Sequence, residues 1–157
     1  MQPITYLRDD ATAPREPGPK IIAHVCNDKG AWGRGFVMAL SARWPEPEAD
    51  YRKWHRELDG KLVLGSVQFV QVAPGILVAN MIGQSGIAAV NGVPPVRYSA
   101  IGGCLSGVAA IALEHAASVH MPRIGCGLAG GIWDQIEPLV IQHLAVEDVR
   151  VFVYDLA

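Results

Sequence analysis

Hydrophobic positions along this chain alternate between short unbroken runs and longer stretches in which they recur every three or four residues. The runs at 4–7 (ITYL), 20–26 (KIIAHVC), 66–72 (SVQFVQV), 76–82 (ILVANMI), 118–124 (SVHMPRI) and 149–156 (VRVFVYDL) predict strands. The run 20–26 is nearly continuous, as in a parallel strand covered on both faces. In 66–72 the pattern partly alternates, with Val67, Phe69 and Gln71 opposite Gln68, Val70 and Val72. Pro74-Gly75 separates that run from 76–82 and predicts a tight turn, so the two should form a hairpin.

Helical spacing fills the intervals. Phe36, Leu40 and Arg43 stand at helical spacing after Gly35. The stretch 45–58 (PEPEADYRKWHREL) is polar and charged, as expected of a surface helix. Between Tyr98 and Ala117, residues Ile101, Leu105, Val108 and Ala112 share one face. The stretch 133–144 (WDQIEPLVIQHL) predicts a last helix, with Pro138 at the edge of its first turn if it begins near Asp134. Strands alternating with helices predict a single α/β domain over residues 1–157, with a mixed, mostly parallel central sheet. The proline-containing stretch 9–20 reads as a surface loop.

Composition then narrows the function. Half of the residues are apolar and 18% are charged, which excludes a disordered or coiled-coil chain. The net charge is −2 with no long Lys/Arg cluster, so a grip on long nucleic acid is not expected; a nucleotide needs only a few donors. No apolar run reaches the length of a membrane span, and the opening MQPITYLRDD lacks the basic and apolar regions of a secretory signal. A cytoplasmic monomer with no membrane partner is expected. Cys26, Cys104 and Cys126 are odd in number and widely spaced, which argues against a disulfide framework. No CxxC or HxxxH pair occurs, so neither a metal nor a cofactor is expected.

Two glycine-dense loops carry the candidate chemistry. NDKGAWGRGF (27–36) follows the strand at 20–26, and GCGLAGGIW (125–133) follows the strand at 118–124. Both lie at the carboxyl end of a strand and open a helix, where α/β sheets bind ligands. Glycine lets backbone N–H groups approach a ligand closely, and a helix N-terminus favours an anion. Two such loops suggest a ligand with two phosphates, or a phosphate and a sugar. Gly125, Gly127 and Gly130 also spell GxGxxG, but only 27 residues follow Gly130. That is too few for the rest of a dinucleotide-binding domain. No Gly-Lys-Ser/Thr sequence occurs, so there is no Walker A loop.

Together these loops resemble a macrodomain, and the resemblance covers nearly the whole chain. ITYLRDD (4–10) is similar to the family's first strand, whose terminal aspartate, here Asp10, accepts from the adenine amino group. AHVCNDKGAWGRGF (23–36) resembles the first ligand loop, and VPPVRYSAI (93–101) the start of the long helix. MPRIGCGLAGGIW (121–133) resembles the loop that binds phosphate and ribose. Within the family, the chain most resembles the terminal ADP-ribose glycohydrolase or ALC1-like branch, which removes ADP-ribose from acidic side chains. The yeast-type ADP-ribose-1″-phosphate phosphatases have similar loops.

The resemblance implies a three-layer α/β/α domain that binds ADP-ribose and meets ADP-ribosylated proteins. It implies a diphosphate held between two helix N-termini, at backbone N–H groups of residues 33–36 (Gly33, Arg34, Gly35, Phe36) and 126–130 (Cys126, Gly127, Leu128, Ala129, Gly130). The distal ribose would lie near Asn27, Gly125 and Cys126, with Cys26, Gly83 and Trp133 completing the binding set. The human-type enzyme of this branch uses a lysine in the segment matching NMIGQ (80–84) and an aspartate directly after PRIGCGL. Here the first segment has no lysine and the second position is Ala129.

A route through a covalent lysine is therefore not supported. Hydrolysis of the ester between ADP-ribose and protein Glu or Asp would instead use an ordered water. Asn27 and the substrate's own diphosphate would orient it, the Gly127 and Gly130 N–H groups would hold the charge, and Gln84 would contact the distal ribose. The alternatives are a reader of ADP-ribose that does no chemistry, and a 1″-phosphate phosphatase. Trp32 and Trp133 flank the loops and would either stack on the ligand or pack the domain. Cys26 and Cys126 are possible nucleophiles, Cys126 at an expected helix N-terminus; a small residue in a tight loop is the commoner explanation. His24 reads as a core histidine, Asp134 as a helix cap, and Asp28 and Lys29 as solvated loop charges.

Overall fold

The computed structural model describes residues 2–156; Met1 and Ala157, the ends of the expected domain, lie outside the described residues. Strands β1 (Ile4–Arg8), β2 (Lys20–Asn27), β3 (Val67–Ala73), β4 (Ile76–Gln84), β5 (Ser118–Pro122) and β6 (Val151–Asp155) form one sheet. Their order is β1-β6-β5-β2-β4-β3. β3 runs antiparallel to β4 and every other pair is parallel. The hairpin at Pro74-Gly75 therefore forms, with Gly75 at φ +73°. Helices α1 (Phe36–Arg43), α2 (Glu46–Glu57), α3 (Tyr98–His115) and α4 (Trp133–Val140) occupy the connections.

Strand periodicity sorts the apolar side chains into two cores, because successive residues point to opposite faces. From β2, Ile21 and Ala23 pack with Ile101 and Leu105 of α3 and Ile136 of α4. Ile22 and Cys26 face the other way, toward Leu40 of α1 and Tyr51 of α2. β4 alternates in the same sense, Ala79 and Met81 on one side and Val78 and Ile82 on the other. The sheet is the middle layer of an α/β/α sandwich. Burying each isoleucine- or leucine-sized side chain contributes about 1.5–3 kcal/mol, so these two cores hold the helices on opposite faces.

Three local expectations change. Helix α2 is not simply a surface helix: Tyr51 is fully buried, and it sits beside a half-exposed Arg52. Helix α4 begins at Trp133, so Pro138 stands inside it rather than in its first turn. Proline lacks the N–H that would bond four residues back, and the helix ends in a π turn at Ile141–Ala145. Its N-cap is Ile132, without a side-chain bond, so Asp134 contributes a first-turn charge and not a cap.

Candidate functional site

β2 and β5 are neighbours, but they pair only through Lys20–Ile22 and Ser118–His120. The chain leaves β2 toward α1 on one face and leaves β5 toward α4 on the other. This is the switch point at which open α/β sheets form a ligand crevice. The crevice here holds two adjoining hollows of about 230 and 490 Å³. Gly35, Phe36, Gly125, Gly127 and Ala129 line the smaller. Cys26, Asn27 and Gly33 line the larger. Arg34, Gln84 and Leu128 line both. Asp10, Gly83, Cys126, Gly130 and Trp133 line neither.

The first jaw of this cleft is the segment between β2 and α1. Asn27 ties it from within. Its Oδ1 accepts the N–H of Lys29 (2.9 Å) and of Ala31 (3.1 Å), and its Nδ2 donates to the Ala31 carbonyl (2.8 Å). One Nδ2 hydrogen is left for a ligand. Trp32 is buried edge-on to His24 and donates its indole N–H to Ser41 Oγ at 2.8 Å, so it packs the core while also forming part of the wall of the larger hollow. Asp28 is not a free loop charge; its carboxylate accepts the Gly86 N–H at 2.8 Å.

The jaw ends at Gly35, with φ +82° and ψ −146°, a conformation essentially confined to glycine. Helix α1 starts directly after it with no side-chain cap. The N–H groups of residues 33–36 have no protein acceptor among the described residues. They are the donors a helix N-terminus leaves open, beside the positive end of its dipole. Arg34 is exposed and unpaired among the described residues, so its charge adds to theirs.

The second jaw is the loop after β5, and it differs from expectation. Cys126 donates its N–H to the Arg123 carbonyl (3.3 Å), Gly130 to Gly127 (3.0 Å) and Gly131 to Gly125 (2.7 Å). The Gly130 amide is thus committed inside the loop and cannot hold ligand charge. The open donors are those of residues 127–129, a shorter run than the 126–130 expected. Helix α4 starts only at Trp133, outside the cleft, so just one jaw is a helix N-terminus.

The glycines also divide by role. A Cβ on Gly125 would meet Ile136 and Ile101 at 3.0 and 3.1 Å, and one on Gly130 would meet Pro94 at 2.7 Å. A Cβ on Gly83 would meet Ile101 at 2.9 Å. These three are glycines because neighbouring elements press against them. Only Gly127 in this loop faces open space.

Charge around the cleft comes partly from residues the sequence did not single out. Arg123 lines the smaller hollow and forks the Asp155 carboxylate at 2.7 and 3.1 Å. Its guanidinium lies 5.3 Å from the ring centres of both Tyr6 and Trp133. Trp133 therefore braces Arg123 and does not enter the cleft. Tyr6 also bonds Glu137. Asp10 stands apart; its carboxyl is held below the ordinary range by the Thr12 hydroxyl and by Arg43, which pairs with it at 3.4 Å.

Neither cysteine has the setting of a nucleophile. Burial pushes the Cys26 thiol well up. It also raises Cys126, whose S–H donates to the Ile124 carbonyl at 3.4 Å. The helix N-terminus expected beside Cys126 is absent. His24 lies under the cleft, with its Nε2 2.5 Å from Asn80 Oδ1. The Asn80 amide nitrogen faces the Pro47 carbonyl and Gln68 Oε1, so its oxygen faces His24 and the histidine must donate. Burial lowers this ring to about 4 and keeps it neutral. Among the described residues no group of His, Cys, Asp or Glu could hold a metal ion, and no helix is long and apolar enough to cross a membrane.

Comparison with known proteins places this geometry. No protein-family model matches the chain. A macrodomain protein from Streptomyces coelicolor is 55% identical, with a TM-score of 0.87 over 99% of this chain and 100% of that one. A protein of unknown function from Bacteroides thetaiotaomicron is 51% identical, with a TM-score of 0.96 over 99% of both. The Danio rerio chromodomain-helicase-DNA-binding protein 1-like is 31% identical over 164 residues. That match takes in 96% of this chain, which spans only 15% of the length of that relative. The ADP-ribose 1″-phosphate phosphatase of Saccharomyces cerevisiae is 35% identical over 68 residues, 41% of this chain and 38% of that protein. The fold recurs at 15% identity in Thermosipho africanus DarTG in complex with ADP-ribose, with a TM-score of 0.69 over 87% of this chain and 38% of that one.

Proposed function

Because the chain belongs to the macrodomain family, we propose that it binds ADP-ribose in this cleft and hydrolyses the ester joining ADP-ribose to glutamate or aspartate side chains of proteins. The observation that carries the binding is the pair of acceptor-free amide runs, 33–36 and 127–129, with Arg34 beside them. A diphosphate supplies the acceptors and the negative charge that these groups lack. The larger hollow takes the distal ribose. There Asn27 offers its one remaining amide hydrogen, and Gln84, whose Nε2 donates to the Gly86 carbonyl at 3.0 Å, keeps its Oε1 for a hydroxyl or a water.

In the proposed reaction a water held by Gln84 and the substrate's diphosphate attacks the anomeric carbon of the distal ribose; Asn27, expected to orient that water, has its Oδ1 filled by the Lys29 and Ala31 N–H groups and is left to bind the ribose. The bond from that carbon to the acyl oxygen breaks, the protein carboxylate leaves, and the water proton passes to solvent. A carboxylate is a good leaving group, so positioning and charge stabilisation supply the rate without a lysine nucleophile. ADP-ribosylated proteins are the proposed partners, met by a cytoplasmic monomer without a metal.

Two other activities would use the same cleft: recognition of ADP-ribose without chemistry, and removal of phosphate from ADP-ribose-1″-phosphate, which the yeast relative's name supports. One panel separates the three. The protein is incubated with glutamate-linked ADP-ribosyl protein and with ADP-ribose-1″-phosphate, beside a Gly127→Glu control. Free ADP-ribose from the first substrate above the control is the expected result. Tight binding with no release from either makes the protein a reader, and phosphate from the second alone makes it a phosphatase.

A further inference from the structure

The first jaw is aimed by a residue on another element. Arg52 lies on α2 and reaches the loop with both terminal nitrogens of its guanidinium. Nε pairs with Glu48 at 2.9 Å, Nη1 donates to the Gly30 carbonyl at 3.0 Å, and Nη2 donates to the Trp32 carbonyl at 3.2 Å. The described peptide bonds here are all trans. In a planar trans peptide the carbonyl of one residue and the N–H of the next point in opposite directions. Drawing the Gly30 and Trp32 carbonyls toward α2 therefore turns the Ala31 and Gly33 N–H groups away from it. The Ala31 N–H goes to Asn27 Oδ1 at 3.1 Å. The Gly33 N–H has no acceptor among the described residues, and Gly33 and Arg52 both line the larger hollow. Tyr51, the preceding residue, holds the start of the loop; its hydroxyl donates to the Asn27 carbonyl at 2.6 Å and accepts the Gly30 N–H at 3.1 Å.

We propose that Arg52 is the positioning residue of the anion-binding jaw, holding two loop carbonyls so that the Gly33 amide and those after it face the cleft. The proposal rests on the ADP-ribose reading above. It depends on the shape of the guanidinium and not on charge alone. Glu48, one turn earlier on α2, fixes the plane of the fork. A lysine keeps the charge but is a single point donor that cannot hold both carbonyls and Glu48 in one plane.

The test compares wild type with Arg52→Lys, Arg52→Gln and Arg52→Ala by calorimetric titration with ADP-ribose. Thermal midpoints and the backbone amide resonance of Gly33 are followed alongside. Arg52→Lys should bind about tenfold more weakly, a loss in the range of one charge-assisted hydrogen bond, while its midpoint stays within a few degrees. The Gly33 resonance should shift on ligand addition in wild type and shift much less in Arg52→Lys. A merely structural role would lower the midpoint and leave affinity and the Gly33 shift unchanged in the folded variants. Wild-type affinity in Arg52→Lys overturns the proposal, because charge would then suffice. If Arg52→Ala does not fold, the lysine and glutamine variants carry the comparison. If wild type fails to bind ADP-ribose, the functional reading falls, and titration with inorganic pyrophosphate decides the positioning role. A Gly33 shift that needs Arg52 supports it, and no shift in wild type overturns it.

Discussion

Gly127 and Gly130 lie three residues apart in the second jaw, and substitution should separate binding from stability between them. Gly127 lines the smaller hollow, a Cβ there meets nothing within 4 Å, and its backbone is not left-handed. Gly127→Glu therefore puts a side chain and a negative charge where the diphosphate is proposed to lie. Stability should change by less than about 1 kcal/mol, as for other substitutions at compatible glycines. Affinity for ADP-ribose should fall at least about a hundredfold, near 2.8 kcal/mol.

Gly130 is the opposite case. Its φ is +78°, and an added Cβ lies 2.7 Å from Pro94 Cβ. The left-handed backbone costs an alanine about 1–2 kcal/mol, and the overlap about 1–3 kcal/mol more. At about 2–4 °C per kcal/mol for a chain of this size, Gly130→Ala should melt roughly 4–20 °C lower. Its N–H is already given to Gly127, so binding well below the melting temperature should fall by less than about tenfold. Scanning calorimetry and titration with ADP-ribose read both quantities. Gly127→Glu melting as low as Gly130→Ala, or binding like wild type, would refute the division of roles.

Three further outcomes follow. His24 and His120 are buried, each with its folded value lowered to about 4 from an ordinary 6.5. The unfolded chain therefore takes up protons between pH 6.5 and 4 that the folded chain refuses. The histidine contribution should be flat above pH 7 and stability should fall through that window by about 3 kcal/mol per histidine; urea midpoints at pH 7 and pH 5 check it, and equal midpoints would contradict it. Tyr51→Phe strands the Gly30 N–H and removes the donor to the Asn27 carbonyl, which should cost about 1–3 kcal/mol in chemical denaturation. Cys126→Ala should leave turnover of a glutamate-linked substrate unchanged, since burial keeps that thiol protonated; a loss above about tenfold would restore cysteine chemistry.

The elements of this fold were legible without coordinates because their signals are local. Strand and helix periods repeat within a few residues, and Pro74-Gly75 marks its own turn. The strand-to-helix alternation also put both glycine loops at carboxyl ends of strands. What the two loops could not reveal is how each amide and glycine is used. GxGxxG looks uniform, yet Gly125 yields to Ile136 and Ile101, Gly130 yields to Pro94, and Gly127 alone faces open space. The Gly130 amide turns inward and α4 begins beyond the cleft, which the spacing of apolar residues cannot encode.

Arg52 shows the same limit from the other side. In the sequence it is one more charge on a polar helix, and it becomes informative only when α2 sets its guanidinium against the carbonyls of Gly30 and Trp32. Local chain physics determined which segments are strands, helices and ligand-competent loops. Contacts between segments far apart in sequence decided which glycines are pressed by neighbouring elements and which side chains aim the first jaw, because Pro94, Ile101, Ile136, Tyr51 and Arg52 all come from outside the loops they act on.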